Sequence, residues 1–90
     1  MRLTWSSMAY KDRLRILELI AEDNPIAAEV LDETFRDKAR RAAQYPALYK
    51  PGRLPGTREI VVHPNYVIVY RTLVDQIEII RILHARQQWP

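Results

Sequence analysis

Cysteine is absent from this 90-residue chain and glycine occurs only twice. Without thiols the fold has neither a disulfide framework nor a thiolate metal site. Two glycines are too few for the loops that cradle phosphates or dinucleotides. Long hydrophobic runs are missing as well. Ile60 to Val62 and Val67 to Tyr70 are the longest, far short of the ~20 apolar residues of a membrane helix. With no span and no leader segment visible, a cytoplasmic protein with no membrane association is expected. Histidine is limited to His63 and His84, which are distant in the chain and have no carboxylate at ligand spacing, so neither a metal nor any other cofactor is expected. Ser6 and Ser7 have no glycine-rich elbow around them and are read as helix caps rather than nucleophiles.

What is present fits a single domain spanning residues 1–90, with a modest core at this size. Charge is distributed unevenly. Residues 1–49 contain eight Lys/Arg and eight Asp/Glu, whereas residues 50–90 contain six (Lys50, Arg53, Arg58, Arg71, Arg81, Arg86) against Glu59, Asp75 and Glu78, so the net +3 resides in the second half. Of the 14 basic residues, 11 are Arg, whose planar fork suits carboxylates and phosphates. A basic surface in this half would draw an acidic partner or a nucleic acid.

Arg2-Leu3-Thr4-Trp5 reads as a short strand, and a serine cap then opens a helix over about 7–22. Its apolar stripe is expected at Tyr10, Leu14, Leu17 and Ala21, widened by Ile16 and Ile20. Asn24-Pro25 supplies a cap and a first-turn proline for a second helix running to about Ala43, with Ala27, Leu31, Phe35, Ala39 and Ala42 as its stripe. The short link makes an antiparallel helical pair. Tyr45 to Gly56 contains three of the six prolines and both glycines, and so forms a long loop. Three strands follow at about 57–63, 66–72 and 76–84. With Pro64 and Asn65 as a two-residue turn, Val62 would face Val67, Ile60 would face Val69 and Arg58 would face Arg71. Alternation along the last strand places Arg81 with Ile77, Ile79 and Leu83. Both strand faces are rich in Val and Ile, so one packs on the helices and the other needs a further cover. The sum is an α+β fold, β-α-α-β-β-β, with a helical hairpin on one face of a mainly antiparallel sheet.

The run Gly56-Thr57-Arg58-Glu59-Ile60-Val61-Val62-His63-Pro64-Asn65-Tyr66-Val67-Ile68-Val69-Tyr70-Arg71, followed by Ile77-Glu78-Ile79-Ile80-Arg81-Ile82-Leu83-His84-Ala85-Arg86, resembles the C-terminal half of toxins of the RelE/ParE superfamily, which belong to bacterial type II toxin-antitoxin modules. The resemblance is strongest to the ParE-like branch and covers residues 45–90 at motif level. It implies a toxin of a plasmid-stabilisation or addiction system, held by a cognate antitoxin (ParD-like or similar) in a hetero-oligomer. A ParE-like toxin inhibits growth by poisoning DNA gyrase; the alternative, RelE-like, activity is ribosome-dependent mRNA cleavage. In that ribonuclease branch two alternate basic residues lie on the strand matching 57–63, an arginine follows the tyrosine matching Tyr66, and a tyrosine follows the arginine matching Arg86. Here only Arg58 and Arg86 match, and Ile60, Val67 and Gln87 stand at the other positions. The resemblance therefore implies a partner-binding basic edge of Arg58, Arg81 and Arg86 with Trp89 in the tail. It leaves His84, Arg86 and Arg58 as the catalytic set of the metal-free alternative. His63, beside the turn, is expected to be a half-exposed hydrogen bonder, and Trp89 either clasps the tail to the domain or anchors a partner.

Overall fold

A computed structural model of the protein describes residues 1–62 and 64–90; the expectation for His63 lies outside these. The elements are β1 (Arg2–Trp5), α1 (Ser7–Asp23), α2 (Pro25–Gln44), β2 (Arg58–Val62), β3 (Tyr66–Thr72) and β4 (Gln76–His84). Ser6 caps α1 by accepting the Ala9 N–H, and Asn24 caps α2 by accepting the Ala27 N–H with Pro25 at the first position. These are the satisfied first-turn donors that the Ser-Ser and Asn-Pro pairs imply.

The four strands form one sheet in the order β1-β4-β3-β2. β1 runs parallel to β4, and the other pairs are antiparallel. Both helices lie on one face. Phe35, Ala39 and Ala42 from α2 meet Ile60, Val62, Ile68, Tyr70, Ile77, Ile79 and Ile82 in the main core. The alanines let α2 approach the branched strand residues closely, and Phe35 packs edge-on against Tyr66 at 5.9 Å.

Three readings of the sequence are corrected. The β2–β3 ladder closes at Val62↔Tyr66, so Ile60 faces Ile68 and Arg58 faces Tyr70 rather than Arg71. A one-residue difference in turn length moves the whole register, and it relieves the arginine pair: Arg71 instead bonds Glu78 across to β4 at 2.8 Å. On β4, Tyr70 pairs with Ile79 but Val69 with Arg81, leaving Ile80 as the extra residue of a register shift. Alternation flips there. Ile77 and Ile79 enter the main core while Leu83 joins Val67 and Val69 on the opposite face, so these four β4 positions do not share one face. On α1, Tyr10 and Leu14 are exposed, and the buried line runs through Ala9 and Asp12. A charged residue occupies the stripe where the apolar count placed none.

The loop from Tyr45 to Thr57 is fastened to the sheet by side chains. The Tyr70 hydroxyl donates to the Pro46 carbonyl at 2.6 Å and the Arg58 guanidinium to the Tyr49 carbonyl at 2.6 Å. The Glu59 carboxylate accepts the Arg53 backbone and side-chain N–H groups. Gly52 lies so close to the Thr57 hydroxyl that no Cβ fits, and Gly56 turns with φ +82°, a conformation that favours glycine.

Candidate functional site

The four residues expected to form one basic edge are distributed over three places. Arg58 begins β2 opposite Tyr70, whereas His84 ends β4 opposite Tyr66, with Arg86 just beyond it. Four residue steps along β3, from Tyr66 to Tyr70, separate these pairs, about 13 Å along the strand at ~3.3 Å per residue. Arg58 and Arg86 therefore occupy opposite ends of the sheet.

Arg81 is enclosed. Its Nε and Nη2 reach the two oxygens of Asp12 at 2.8 and 3.2 Å, and the Ile82 backbone N–H donates to the same carboxylate at 3.0 Å. Asp12 and Arg81 side chains are 4% and 16% exposed. Arg15 adds a fourth donor at 3.3 Å. The reason lies in the sheet: β1 stops at Trp5, so β4 beyond Ile79 has no strand neighbour on that side. Ser6 Oγ caps the Ile80 carbonyl, and Asp12 caps the Ile82 N–H. Arg81 thus serves the fold rather than an exposed edge, which corrects its placement there. Asp12 was missed because a lone carboxylate in a helix carries no sequence signal of what it will meet seventy residues later.

Trp89 returns over the helix-free face. It packs with Ile80 on Val67, Val69 and Leu83, and its ring lies 5.4 Å from the Arg81 guanidinium carbon, a cation–π distance. The cover that this face needed is the chain's own tail. The indole N–H is buried there without a partner among the described residues.

His84 is exposed beside Tyr66, with ring centres 5.8 Å apart, and its Nδ1 accepts the Arg86 backbone N–H at 3.1 Å. That bond assigns the ring proton of the neutral form to Nε2. A cavity of about 210 Å³ lies at this end, bounded by Arg15, Leu19, Tyr66, Ile82, His84 and Gln87. It contains neither Arg58 nor Arg81. Among the described residues no group of three or more His, Asp or Glu could hold a metal ion.

A wider opening than the one at His84 is apolar. A groove of about 550 Å³ runs between the hairpin and the β2–β3 turn, lined by Ile20, Ala27, Val30, Leu31, Thr34 and Tyr66, with Pro64 and Asn65 closing one side. Ile26 and Val30 stand exposed beside it at 73% and 60%. On the outer edge of the sheet, Lys50 accepts the Glu59 N–H, so alternation along β2 turns the Val61 backbone groups outward as well. Val61 is itself 59% exposed. A groove with exposed aliphatics next to a free strand edge is suited to receive polypeptide.

This α+β domain is a toxin of the RelE/ParE superfamily from a type II toxin-antitoxin module. Within it, the chain belongs to the ParE toxin family (ParE toxin of type II toxin-antitoxin system, parDE), whose model matches residues 3–89. A putative toxin Y4kP of Sinorhizobium fredii is 37% identical over 90 residues, covering 99% of this chain and 93% of that protein. Toxin RelE2 of Caulobacter vibrioides is 34% identical over 86 residues, covering 93% and 94%. Among solved structures, a chain of the chromosomal ParDE system from P. aeruginosa superposes with TM-score 0.84 at 19% identity, covering 96% of this chain and 97% of that one. A YoeB/ParE toxin from Agrobacterium tumefaciens gives TM-score 0.66 at 18% identity, with 93% and 98% coverage. These two show the shared fold. The family implies an antitoxin partner. No helix of the described residues is long and apolar enough to cross a membrane.

Proposed function

We propose that this toxin acts in the cytoplasm by poisoning DNA gyrase and that a cognate ParD-like antitoxin neutralises it. The observation that carries the choice of target is the separation of Arg58 from His84 and Arg86 at opposite ends of the sheet. Metal-free cleavage of RNA needs a base, an acid and a cation around one phosphate. Of the set His84, Arg86 and Arg58, the first two adjoin each other and the third does not reach them. Ile60 and Val67, at positions where the ribonuclease branch has cations, are buried in the two hydrophobic clusters. A binding toxin needs no such convergence, only surface.

The antitoxin reading rests on the groove beside Val30 and Leu31 and on the free edge at Val61. An amphipathic helix suits the first, and an extended segment suits the second. The test pairs two assays on one preparation: gyrase-dependent cleavage of supercoiled plasmid, and mRNA cleavage by translating ribosomes. Stabilised DNA breaks with intact message are expected. Codon-phased message cuts that disappear in His84→Ala, without DNA breaks, would replace this reading with the ribonuclease one.

A further inference from the structure

Eight of the eleven arginines make ion pairs with carboxylates: Arg2, Arg13, Arg15, Arg36, Arg40, Arg53, Arg71 and Arg81. Of the other three, Arg41 lies over the Tyr45 ring and Arg86 is exposed in the tail. Arg58 differs from both. It is half-buried and fixed by one nitrogen, Nη1, on the Tyr49 carbonyl, and it has no carboxylate partner among the described residues. Withdrawing a cation from water without a counter-charge is costly, so its surroundings ask for an anion.

The surroundings are shaped for one. Arg58 faces a cavity of about 360 Å³ whose other walls are Pro51, Gly56, Thr57 and Thr72. No acidic side chain lines it. The carboxylate next to Arg58 in sequence, Glu59, is turned to the other face of β2 by strand alternation and is occupied by Arg53. The Gly56 N–H and the Thr72 hydroxyl make no hydrogen bond to the described residues, whereas the Thr57 hydroxyl is committed to the Leu54 carbonyl at 2.6 Å. One held guanidinium and two residues with uncommitted donors therefore line the same cavity.

We propose that this cavity is a carboxylate site that receives an acidic side chain of a polypeptide partner, with Arg58 as its charged anchor and Gly56 N–H and Thr72 Oγ as the orienting donors. A carboxylate matches the single charge and the planar guanidinium fork. A nucleic-acid strand is the poorer match, because it calls for a row of cations and aromatic faces for its bases, and the walls supply one arginine and no aromatic ring. The β2 edge beside the cavity is covered by residues 50–52, but the open edge at Val61 is three residues further along the same strand, so an extended partner segment paired there could continue past that cover and place an acid into the cavity. That link to the partner rests on the antitoxin reading; the carboxylate affinity does not.

The experiment is an NMR titration of the full chain with N-acetyl-glutamate methylamide and, separately, with dimethyl phosphate. Saturable shifts of the Arg58 Nε–H and of the Gly56, Thr57 and Thr72 amides are expected with the carboxylate. They should weaken by roughly tenfold in Arg58→Lys, which keeps charge but loses the fork, and vanish in Arg58→Gln with the remaining spectrum unchanged. Thr72→Val, at an exposed position, gives a second readout if Arg58→Gln fails to fold, with several-fold weaker binding expected. Linear, non-saturating shifts, equal shifts in the variants, or tighter binding of dimethyl phosphate each overturn the assignment. Because neither a partner nor growth arrest enters the measurement, failure here leaves the toxin reading standing, and failure of that reading leaves the site standing.

Discussion

Asp12 and Glu59 are two acids buried in a small domain, and each accepts hydrogen bonds from donors that the fold brings to it. Asp12→Ala would leave the Arg81 guanidinium and the Ile82 N–H without their acceptor. A cost of about 3–5 kcal/mol is expected, as for other broken buried pairs, read as a lower urea midpoint. Arg81→Ala should be destabilising for the reciprocal reason, so any loss of toxicity in that variant would reflect loss of fold. Arg86→Ala should leave the urea midpoint unchanged, since the Arg86 side chain is exposed and bonds nothing described; a drop in gyrase binding of roughly 10- to 100-fold is expected if it meets the target through a charge-assisted contact of about 1.5–3 kcal/mol. For Glu59, burial pushes the carboxyl up, but the backbone and side-chain hydrogen bonds of Arg53 and the charges of Arg53 and Lys50 outweigh it and hold the group below its usual 4.5. A carboxyl depressed in the folded state stabilises at pH above its unfolded value and loses that contribution as pH falls through the folded one. Acid titration of the urea midpoint should therefore show a loss below about pH 4.5 in the parent that is smaller in Glu59→Gln.

At the scale of elements, the tail deserves comparison with the strand it covers. Gln87 is the last residue whose backbone N–H bonds another described residue, here the His84 carbonyl, so the end of the chain is held mainly by the packing of Trp89 on Ile80, Val67, Val69 and Leu83. Trp89→Ala should cost about 2 kcal/mol, less than the 3–5 of a fully buried tryptophan. Trp89→Phe should cost less than Trp89→Ala: it keeps the apolar cover and removes an unsatisfied indole donor whose burial carries a penalty of roughly 1–3 kcal/mol. Thermal midpoints of the three proteins decide it; equal losses in both variants would mean the ring is not packed as described. The hairpin has a similar imbalance. Ile26 and Val30 stand exposed beside the groove, so Val30→Asp should barely change stability yet weaken a partner helix seated there, measured by co-purification with the antitoxin.

For the whole molecule, brief induction in a bacterial host is expected to arrest growth, and co-expression of the partner to restore it. Sequencing of message ends beside detection of DNA breaks and the SOS response separates the two mechanisms. DNA damage with uncut message is the expected pattern. Normal growth at verified expression would count against toxicity in that host.

The order and limits of the elements were legible in the chain itself, because capping residues, proline positions and apolar periodicity act locally: Ser6, Asn24-Pro25 and the Val/Ile runs mark β1 through β4 within a residue or two. Arg58, Arg81, Arg86 and Trp89 could be singled out from the motif, but not their distances from one another. Register and its shift at Ile80 depend on turn length and on pairing between strands, and a single residue there decides which face every later side chain takes. The same holds for Asp12. Its burial is tolerable only because Arg81, Ile82 and Arg15 arrive together around it, a convergence created by the early end of β1. Local sequence determined the helices and strands; only the tertiary structure decided which charges are spent inside the fold and which remain at the surface, since that balance is set by long-range pairing and desolvation.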